Sequence, residues 1–423
     1  MKSSRFNTTV DLGSGQSMMY NLLHRKYFVY PTADQYKLDH IMADLNRKTW
    51  DKDEVDYLVQ VIQSKCAIQN TDNELDYIRY KENEQRFNDR VLTLMLLPTM
   101  GCNLNCTYCY QDNYSSSFTD ETRDKIISFI KNYVKRVDAI NLSWFGGEPS
   151  LEFDRVIEMT REIKQICDDN DVYLNVHVTT NGYLLTEDRV HQYVEAGVNA
   201  MQITIDGPKT IHDQRRIRFD GGGTYERIMS GIQWVVKNGI QLTYRMNVDP
   251  TNLKQVEEVM DYIEPQYRDN VIVSIGNLHQ SKDNISFYSL YKLAIEKGYS
   301  YRRTKNSYAV CEVNYKHGYT IDPDGNILFC SFDMTDDKVI GKISSDGKPQ
   351  ITNRGAFYSR LHTSAVDNKA CQNCTSLPIC AGSCIMEQMR NNEKCLNNLS
   401  DGMSPQERAL IHYYHDQREQ VIQ

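Results

Sequence analysis

The sequence predicts an α/β protein built around a partial (β/α)6 barrel, and three observations support that fold class. Six strand-like segments alternate with helical segments between residues 89 and 280. Three strands and three helices are predicted ahead of them, in residues 1–88, and seven of the twelve cysteines follow in residues 311–395. Repeated strand–helix units require a parallel sheet with right-handed crossovers. We therefore expect three domains, at residues 1–88, 89–280 and 281–423.

The composition narrows the class of protein. The chain has 423 residues, of which 40% are hydrophobic and 25% charged, and its formal net charge is −8. Such a chain can bury a core, and its acidity without a Lys/Arg-rich run predicts no nucleic-acid partner. It shows no secretory signal and no apolar segment long enough to span a bilayer, so we expect a cytoplasmic protein with no membrane partner. In a reducing compartment its cysteines should bind metal, act in catalysis or lie in the core.

The first block predicts a three-stranded meander followed by three helices. Apolar residues alternate or cluster at 8–12, 17–22 and 26–30, with Gly13 and Gly15 in the first turn. They then recur at helical spacing near residues 38–45, 55–62 and 75–78.

The middle block alternates strands with helices, and the last block becomes irregular. We predict barrel strands at residues 91–97, 140–145, 173–179, 201–205, 241–248 and 271–275. Helices are predicted at 119–137, 186–196 and 225–238, the last two ended by glycine. The active site of such a barrel lies at the carboxyl ends of its strands. After a helix at 287–297 the chain should be loop-rich and should need bound metal to fold.

A cysteine loop follows the first barrel strand. Cys102, Cys106 and Cys109 form a C-x3-C-x2-C arrangement, which can hold three irons of a 4Fe-4S cube. The fourth iron would lack a protein ligand and could bind a substrate or cofactor, as a catalytic zinc does. A zinc loop or three buried cysteines is the alternative, but the next cysteine is Cys167.

This loop resembles the signature of the radical SAM enzymes, whose fold is a TIM-like partial barrel. A second match, Gly146-Gly147-Glu148-Pro149, follows the second barrel strand, where adjacent glycines let the main chain approach the amino group of S-adenosylmethionine. The resemblance implies that an external one-electron reductant, such as flavodoxin or ferredoxin, drives cleavage of this cofactor to a 5'-deoxyadenosyl radical. It also implies cofactor contacts from strand ends, although turn caps are the alternative for each: Asn181, Thr204, Asp206 and Asn247.

The C-terminal cysteines resemble a SPASM domain, which carries two auxiliary iron–sulfur clusters in addition to the first. A zinc pair is the alternative. Following the ligation of that family, one cluster would be held by Cys371, Cys374, Cys380 and Cys395. Three irons of the other would be held by Cys311, Cys330 and Cys384.

Seven thiolates cannot fill the eight ligand positions of two cubes. Sulfatase-maturing relatives have an extra cysteine just before the pattern, but residues 304–310 contain none. Cys66 and Cys167 fit the apolar stripes of predicted helices and should lie in the core. We therefore expect an open iron on the first auxiliary cluster, which favours a substrate cysteine and a thioether product.

The first ninety residues resemble the winged-helix recognition element of ribosomal peptide maturases. There, a leader peptide would add as a strand against residues 26–30, beside 75–80. The expected function is a radical SAM oxidoreductase that crosslinks a precursor peptide through a cysteine thioether, as in sactipeptides and ranthipeptides. The alternatives are a carbon–carbon crosslinking maturase, a sulfatase-maturase-like oxidase and a non-catalytic iron–sulfur electron carrier. Asp333, three residues after Cys330, is a candidate general base.

Overall fold

The N-terminal region of the computed structural model contains a three-stranded antiparallel sheet and three helices, as predicted. The structure describes residues 1–111, 114–278, 283, 285–301, 310–332, 338–390, 394–395 and 401–422. The first elements are β1 (Lys2–Ser3), β2 (Asn7–Gly13), β3 (Gln16–Asn21), β4 (Lys26–Pro31), α1 (Gln35–Ala43), α2 (Lys52–Gln63), β5 (Ala67–Ile68) and α3 (Glu74–Arg86). Strands β2, β3 and β4 form the sheet, while β1 and β5 pair as a short ribbon that the sequence did not predict.

Six parallel strands form the barrel, and all six predicted strands are confirmed. They are β6 (Val91–Leu96), β7 (Ala139–Trp144), β8 (Tyr173–Thr180), β9 (Ala200–Thr204), β10 (Gln241–Val248) and β11 (Val271–Asn277). The intervening helices are α4 (Asp120–Tyr133), α5 (Phe153–Asp168), α6 (Glu187–Ala196), α7 (Lys209–Arg215) and α8 (Tyr225–Lys237). Between β10 and β11 the chain forms two 3-10 helices, Gln255–Asp261 and Pro265–Asn270.

Strand alternation sorts apolar and polar side chains to opposite faces of the barrel wall. In β10, Leu242, Tyr244 and Met246 are fully buried in the core shared with the helices. The intervening Arg245 and Asn247 are only partly buried and lie on the other face. Polar side chains therefore reach the carboxyl ends of the strands, where the site is expected.

The C-terminal block extends the barrel sheet, which the sequence did not predict. β12 (Gly318–Ile321) pairs in parallel with β6, and three antiparallel strands follow. These are β13 (Asn326–Leu328), β14 (Val339–Ile343) and β15 (Pro349–Ile351). The β12 pairing lays the C-terminal block against the first barrel strand and so places the segments around Cys311 and Cys330 close to it.

The block is also more helical than the predicted loop-rich region. Its helices are α9 (Tyr288–Glu296), α10 (Arg354–His362), α11 (Lys369–Gln372), α12 (Leu377–Cys380), α13 (Ile385–Arg390) and α14 (Pro405–Ile422). Helix α14 packs against both α9 and β2, and Phe6, Ile78 and Val366 share one core. None of the described helices is both long and apolar enough to cross a membrane.

The surface beside β4 differs from the prediction. Gln60 and Gln63 of α2, with Ser64 directly after that helix, line the groove next to this strand. Residues 75–80, the predicted wall, do not line this groove. Ile78 of α3 packs in a core that it shares with β2, β3 and the C-terminal block.

Candidate active site

The first cysteine loop follows β6 and is fastened to the end of α7 and the residues after it. Asn105 N donates to Ile217 O at 2.7 Å, and Thr107 N donates to Arg215 O at 2.9 Å. These main-chain bonds fix the backbone between the first and last cysteines of the loop. The positions of the three thiols are therefore set by the fold.

The thiols of Cys102, Cys106 and Cys109 lie close enough together for their charges to interact. Burial raises the pKa of Cys102 to about 11, and negative charge on the other two cysteines contributes to the increase. Burial also raises the pKa of Cys106. Three thiolates so placed need positive charge beside them, which a metal cluster supplies. In the described part of the chain, no three His, Cys, Asp or Glu side chains surround a position for a single metal ion.

Tyr108, which lies between the second and third cysteines, joins the loop to two strand ends. Its hydroxyl donates to Asp206 Oδ2 and accepts from Arg216 Nη1 at 2.8 Å and from Asn247 Nδ2 at 3.3 Å. Asp206 is fully buried, and its Oδ1 accepts the main-chain N–H of Asn247 at 3.0 Å. Two residues predicted from strand ends therefore meet at the cysteine loop, bound to each other and to Tyr108.

The glycine turn after β7 packs on the segment that leads into the cysteine loop. Gly146 has a φ of +108°, and a Cβ there would lie 2.4 Å from Thr99 O. A Cβ on Gly147 would lie 2.1 Å from Gly101 O. Both positions require glycine because two backbones are in contact. Pro149 follows and begins a 3-10 helix.

Glu148 fastens this turn to the end of β8. Its Oε1 accepts from Ser150 N at 2.9 Å and from the Thr180 hydroxyl at 2.6 Å, and its Oε2 accepts from Asn181 N at 2.7 Å. Burial raises the pKa of Glu148, and these hydrogen bonds oppose the increase. Both oxygens are occupied by protein donors, so the carboxylate orients Asn181.

Asn181 lies directly beside the first cysteine. Its Nδ2 donates to Asn103 Oδ1 at 2.7 Å and lies 3.8 Å from Cys102 Sγ. Asn103 Nδ2 is buried and has no hydrogen-bond partner among the described residues. The unpaired buried donor of Asn103, beside Cys102, leaves room for an acceptor on a bound group.

Thr204, the remaining predicted cofactor contact, lies at the end of β9 in register with Arg245 of β10.

A cavity of about 630 Å³ lies between the barrel and the C-terminal block. Barrel side chains line part of it, among them Thr93, Met95 and Arg245. Three cysteines of the second array also line it: Cys311, Cys330 and Cys384. The candidate base Asp333 lies outside the described residues.

The C-terminal cysteines fall into two groups by electrostatic interaction. Burial raises the pKa of Cys311 to about 12, and charge on Cys330 and Cys384 adds to the increase. Cys311 has accessible surface as a residue and lines the cavity. In the second group, burial raises the pKa of Cys371 to about 12, and charge from three neighbours contributes: Cys380, Cys374 and Cys395.

The two remaining cysteines are core residues, as predicted. Cys66 and Cys167 are both fully buried, in separate apolar clusters. Burial raises the pKa of Cys66 to about 12 and that of Cys167 to about 11. Neither thiol lines the cavity that the array shares with the barrel.

Comparison with known proteins identifies the barrel. Residues 96–263 match the Radical SAM superfamily. These residues are a radical SAM domain. The chain is therefore an enzyme with S-adenosylmethionine as its cofactor.

Curated relatives of this radical SAM chain have different activities. The chain is 20% identical over 334 residues to a cysteine-type anaerobic sulfatase-maturating enzyme of Clostridium perfringens, covering 69% of this chain and 88% of that protein. It is 24% identical over 273 residues to a probable GTP 3',8-cyclase of Methanosarcina mazei, covering 59% of this chain and 77% of the relative.

Solved structures share the fold. Native anSMEcpe with bound AdoMet matches with a TM-score of 0.55 at 16% identity, over 78% of this chain and 98% of that one. SuiB of Streptococcus suis, bound to precursor peptide SuiA, matches with a TM-score of 0.53 at 13% identity, over 94% of this chain and 99% of that one. The SuiB likeness thus covers more of this radical SAM chain.

Several residues of the site were not found from the sequence. Tyr108 is one of them, although its position between two cysteines of the loop could have indicated that it belongs to the site. Arg216 and Arg245 gave no such signal, since their roles depend on hydrogen bonds to residues distant in the chain or in neighbouring strands.

Proposed function

We propose that this radical SAM enzyme is a peptide maturase. It would remove a hydrogen atom from a ribosomally made precursor peptide and install an intramolecular cysteine thioether. The observation that carries the proposal is the shared cavity, in which Cys311, Cys330 and Cys384 line the same space as Arg245 of the barrel. A peptide segment bound there would meet the barrel mouth and the second cysteine array together.

The first loop and the strand ends would form the cofactor site. Cys102, Cys106 and Cys109 would hold a 4Fe-4S cluster, and residues 146–149 would line the S-adenosylmethionine site with four strand-end residues, Asn181, Thr204, Asp206 and Asn247. The mutual charge interaction of the three thiols and the unpaired donor of Asn103 fit such groups. When bound and reduced by an external protein such as flavodoxin or ferredoxin, the cluster and S-adenosylmethionine would supply the 5'-deoxyadenosyl radical chemistry that removes hydrogen. The protein contributes positioning and exclusion of water.

The second array would hold two auxiliary 4Fe-4S clusters. Cys371 and its three interacting cysteines would ligate one of them completely. Cys311, Cys330 and Cys384 would hold three irons of the other, which leaves one position for the thiolate of the peptide. A peptide sulfur held in the cavity would be close to the carbon from which hydrogen is removed, and proximity of this kind lowers the barrier to bond formation.

The N-terminal region would bind the leader of the precursor. In the described residues, β4 pairs with β3 alone, so its other edge can accept a further strand. The groove of about 310 Å³ beside it is lined by Arg25 and Lys26 as well as by α2. Two cations favour a leader with acidic residues. The likeness to SuiB, solved with its precursor peptide, agrees with a peptide substrate.

The decisive experiment uses a short, cysteine-containing peptide encoded beside this enzyme. Reconstituted enzyme, reductant and S-adenosylmethionine are incubated with it under anaerobic conditions, and the peptide is analysed by mass spectrometry. We expect loss of two hydrogen atoms, disappearance of one thiol and release of 5'-deoxyadenosine. The matched peptide with that cysteine replaced by alanine should remain unmodified. If the alanine peptide still loses two hydrogens, the crosslink joins carbon to carbon.

A second function is favoured by one finding. The sulfatase-maturating relative is covered over 88% of its length, so an oxidase that converts a cysteine side chain to an aldehyde is the competing proposal. An aldehyde in the peptide product, detected with a hydrazide probe, would support it and contradict the thioether. Failure to form any 5'-deoxyadenosine would instead indicate an electron carrier.

The cluster content is a separate test. Three cubes of four predict about twelve irons per chain after anaerobic reconstitution. A measured content of about four, the value for one cube, would remove the auxiliary clusters from the proposal.

A further inference from the structure

A buried arginine lines the cavity beside the cysteines of the second array. Arg360 of α10 is 1% exposed and lines the cavity together with Cys311, Cys330 and Cys384. Its Nη2 donates to Gly318 O at 3.0 Å, and its guanidinium carbon lies 4.7 Å from the ring centroid of Phe357. Its Nε is buried and has no hydrogen-bond partner in the described residues. The guanidinium is therefore held in place without a carboxylate partner in that part of the chain.

A buried cation is costly unless negative charge compensates it. Burial lowers the pKa of Arg360 to about 10, and interactions with Tyr319 and then Cys330 oppose this decrease, so the side chain stays charged at neutral pH. Of the acids that line the cavity, Glu387 pairs with Arg390 at 2.8 Å, and among the described residues no carboxylate forms a salt bridge with Arg360. Cys311, Cys330 and Cys384 line the same cavity, so thiolates there would supply negative charge beside Arg360.

We propose that Arg360 is the counter-charge of the iron–sulfur cluster held by Cys311, Cys330 and Cys384, and that it raises the reduction potential of this cluster. The inference rests on the proposed function, which supplies the cluster. Reduction adds negative charge, and a fixed cation in a low-dielectric site stabilises the reduced form. Arg360 would not react itself. Its charge would make the cluster a better electron acceptor during crosslink formation.

The test is an anaerobic redox titration followed by electron paramagnetic resonance. It uses the full chain with Cys102, Cys106 and Cys109 replaced by alanine, so that only the auxiliary clusters contribute. Arg360→Gln and Arg360→Met remove the charge, and Arg360→Lys keeps it. The matched control is Arg268→Gln, since Arg268 is also buried, bonds main-chain carbonyls and lies over a ring, that of Tyr299.

We expect Arg360→Gln and Arg360→Met to shift the midpoint potential of one auxiliary cluster to more negative values, with Arg360→Lys close to the parent and Arg268→Gln unchanged. Selective loss of about four irons in the two neutral variants, but not in the lysine variant, would also support the proposal. Iron-loaded neutral variants with unchanged potentials would overturn it, as would equal iron loss in the lysine variant. Arg360→Met covers the case in which the glutamine variant does not fold, because an apolar side chain often replaces a buried charge without loss of stability. If the parent chain itself carries no auxiliary cluster, the proposed function fails first.

Discussion

The ring of Tyr110 stacks on the ring of Phe332, with centroids 4.1 Å apart and planes inclined at 26°. Tyr110 directly follows the last cysteine of the first loop, and Phe332 N donates to Cys330 Sγ at 3.4 Å. The stack therefore joins the cofactor loop to the cavity of the second array. Besides the pairing of β6 with β12, this aromatic contact joins two parts of the chain that would carry different clusters.

Replacing Tyr110 by alanine should uncouple cofactor cleavage from peptide modification. An aromatic pair contributes about 0.5–1.5 kcal/mol beyond its buried area, so we expect a roughly two- to tenfold fall in modified peptide per 5'-deoxyadenosine released. Quantifying both products in one anaerobic reaction measures the ratio. Tyr173→Ala, an exposed tyrosine at the start of β8, is the matched control. An unchanged ratio in the Tyr110 variant would show that the stack has no part in coupling.

Tyr108→Phe should weaken the cofactor site specifically. The substitution leaves buried Asp206 without its hydroxyl donor, which costs about 1–3 kcal/mol. We expect a lower denaturation midpoint and weaker S-adenosylmethionine binding, measured by calorimetry. Tyr133→Phe is the control, since it removes a buried hydroxyl of α4 that is bonded to His317 and to Tyr319 of β12. Equal loss of cofactor affinity in both variants would mean that Tyr108 acts through general stability.

The sequence predicted the barrel well because its signals are local. Strand β10 coincides with the predicted residues 241–248, where apolar and polar side chains alternate along the whole strand. Strand β13 was missed because it has three residues and forms only by pairing with β12 and β14. Short strands carry too few residues for periodicity to show.

Some features of the candidate site could likewise be predicted from the sequence, and others could not. Close spacing predicted that the three cysteines of the first loop interact. The two groups of C-terminal cysteines were expected only from the resemblance to the SPASM family, because Cys384, which lies between Cys380 and Cys395 in the chain, interacts with Cys311. Glu148 was predicted from the sequence to belong to the cofactor site, but its contacts with Ser150, Thr180 and Asn181 could not be, because they join the turn to a different strand. Arg360 could not be found from the sequence, because nothing near it in the chain indicates that it faces Cys330.

Cys330→Ala should remove one auxiliary cluster and leave the other. We expect the iron content of reconstituted protein to fall by about four, with the same product ratio of methionine to 5'-deoxyadenosine. Cys167→Ala is the matched control, because this cysteine is fully buried in the core and away from the cavity. The iron content per chain is measured by iron and protein assays on both variants. An unchanged iron content in Cys330→Ala would contradict the assignment of that residue as a ligand.

His177 should make the fold sensitive to mild acid. It lies on β8 in register with Ser143, and burial lowers its pKa to about 4 from 6.5. Between these two pH values the folded protein therefore binds fewer protons than the unfolded chain. The contribution of His177 to the free energy of unfolding is full above pH 6.5 and is lost as the pH falls toward 4, by at most about 3 kcal/mol. His177→Asn should reduce this slope, measured as unfolding midpoints of anaerobic protein over that pH range, while His191→Asn at the surface of α6 should leave it unaltered. A steeper or identical slope in the His177 variant would place the acid sensitivity in another group.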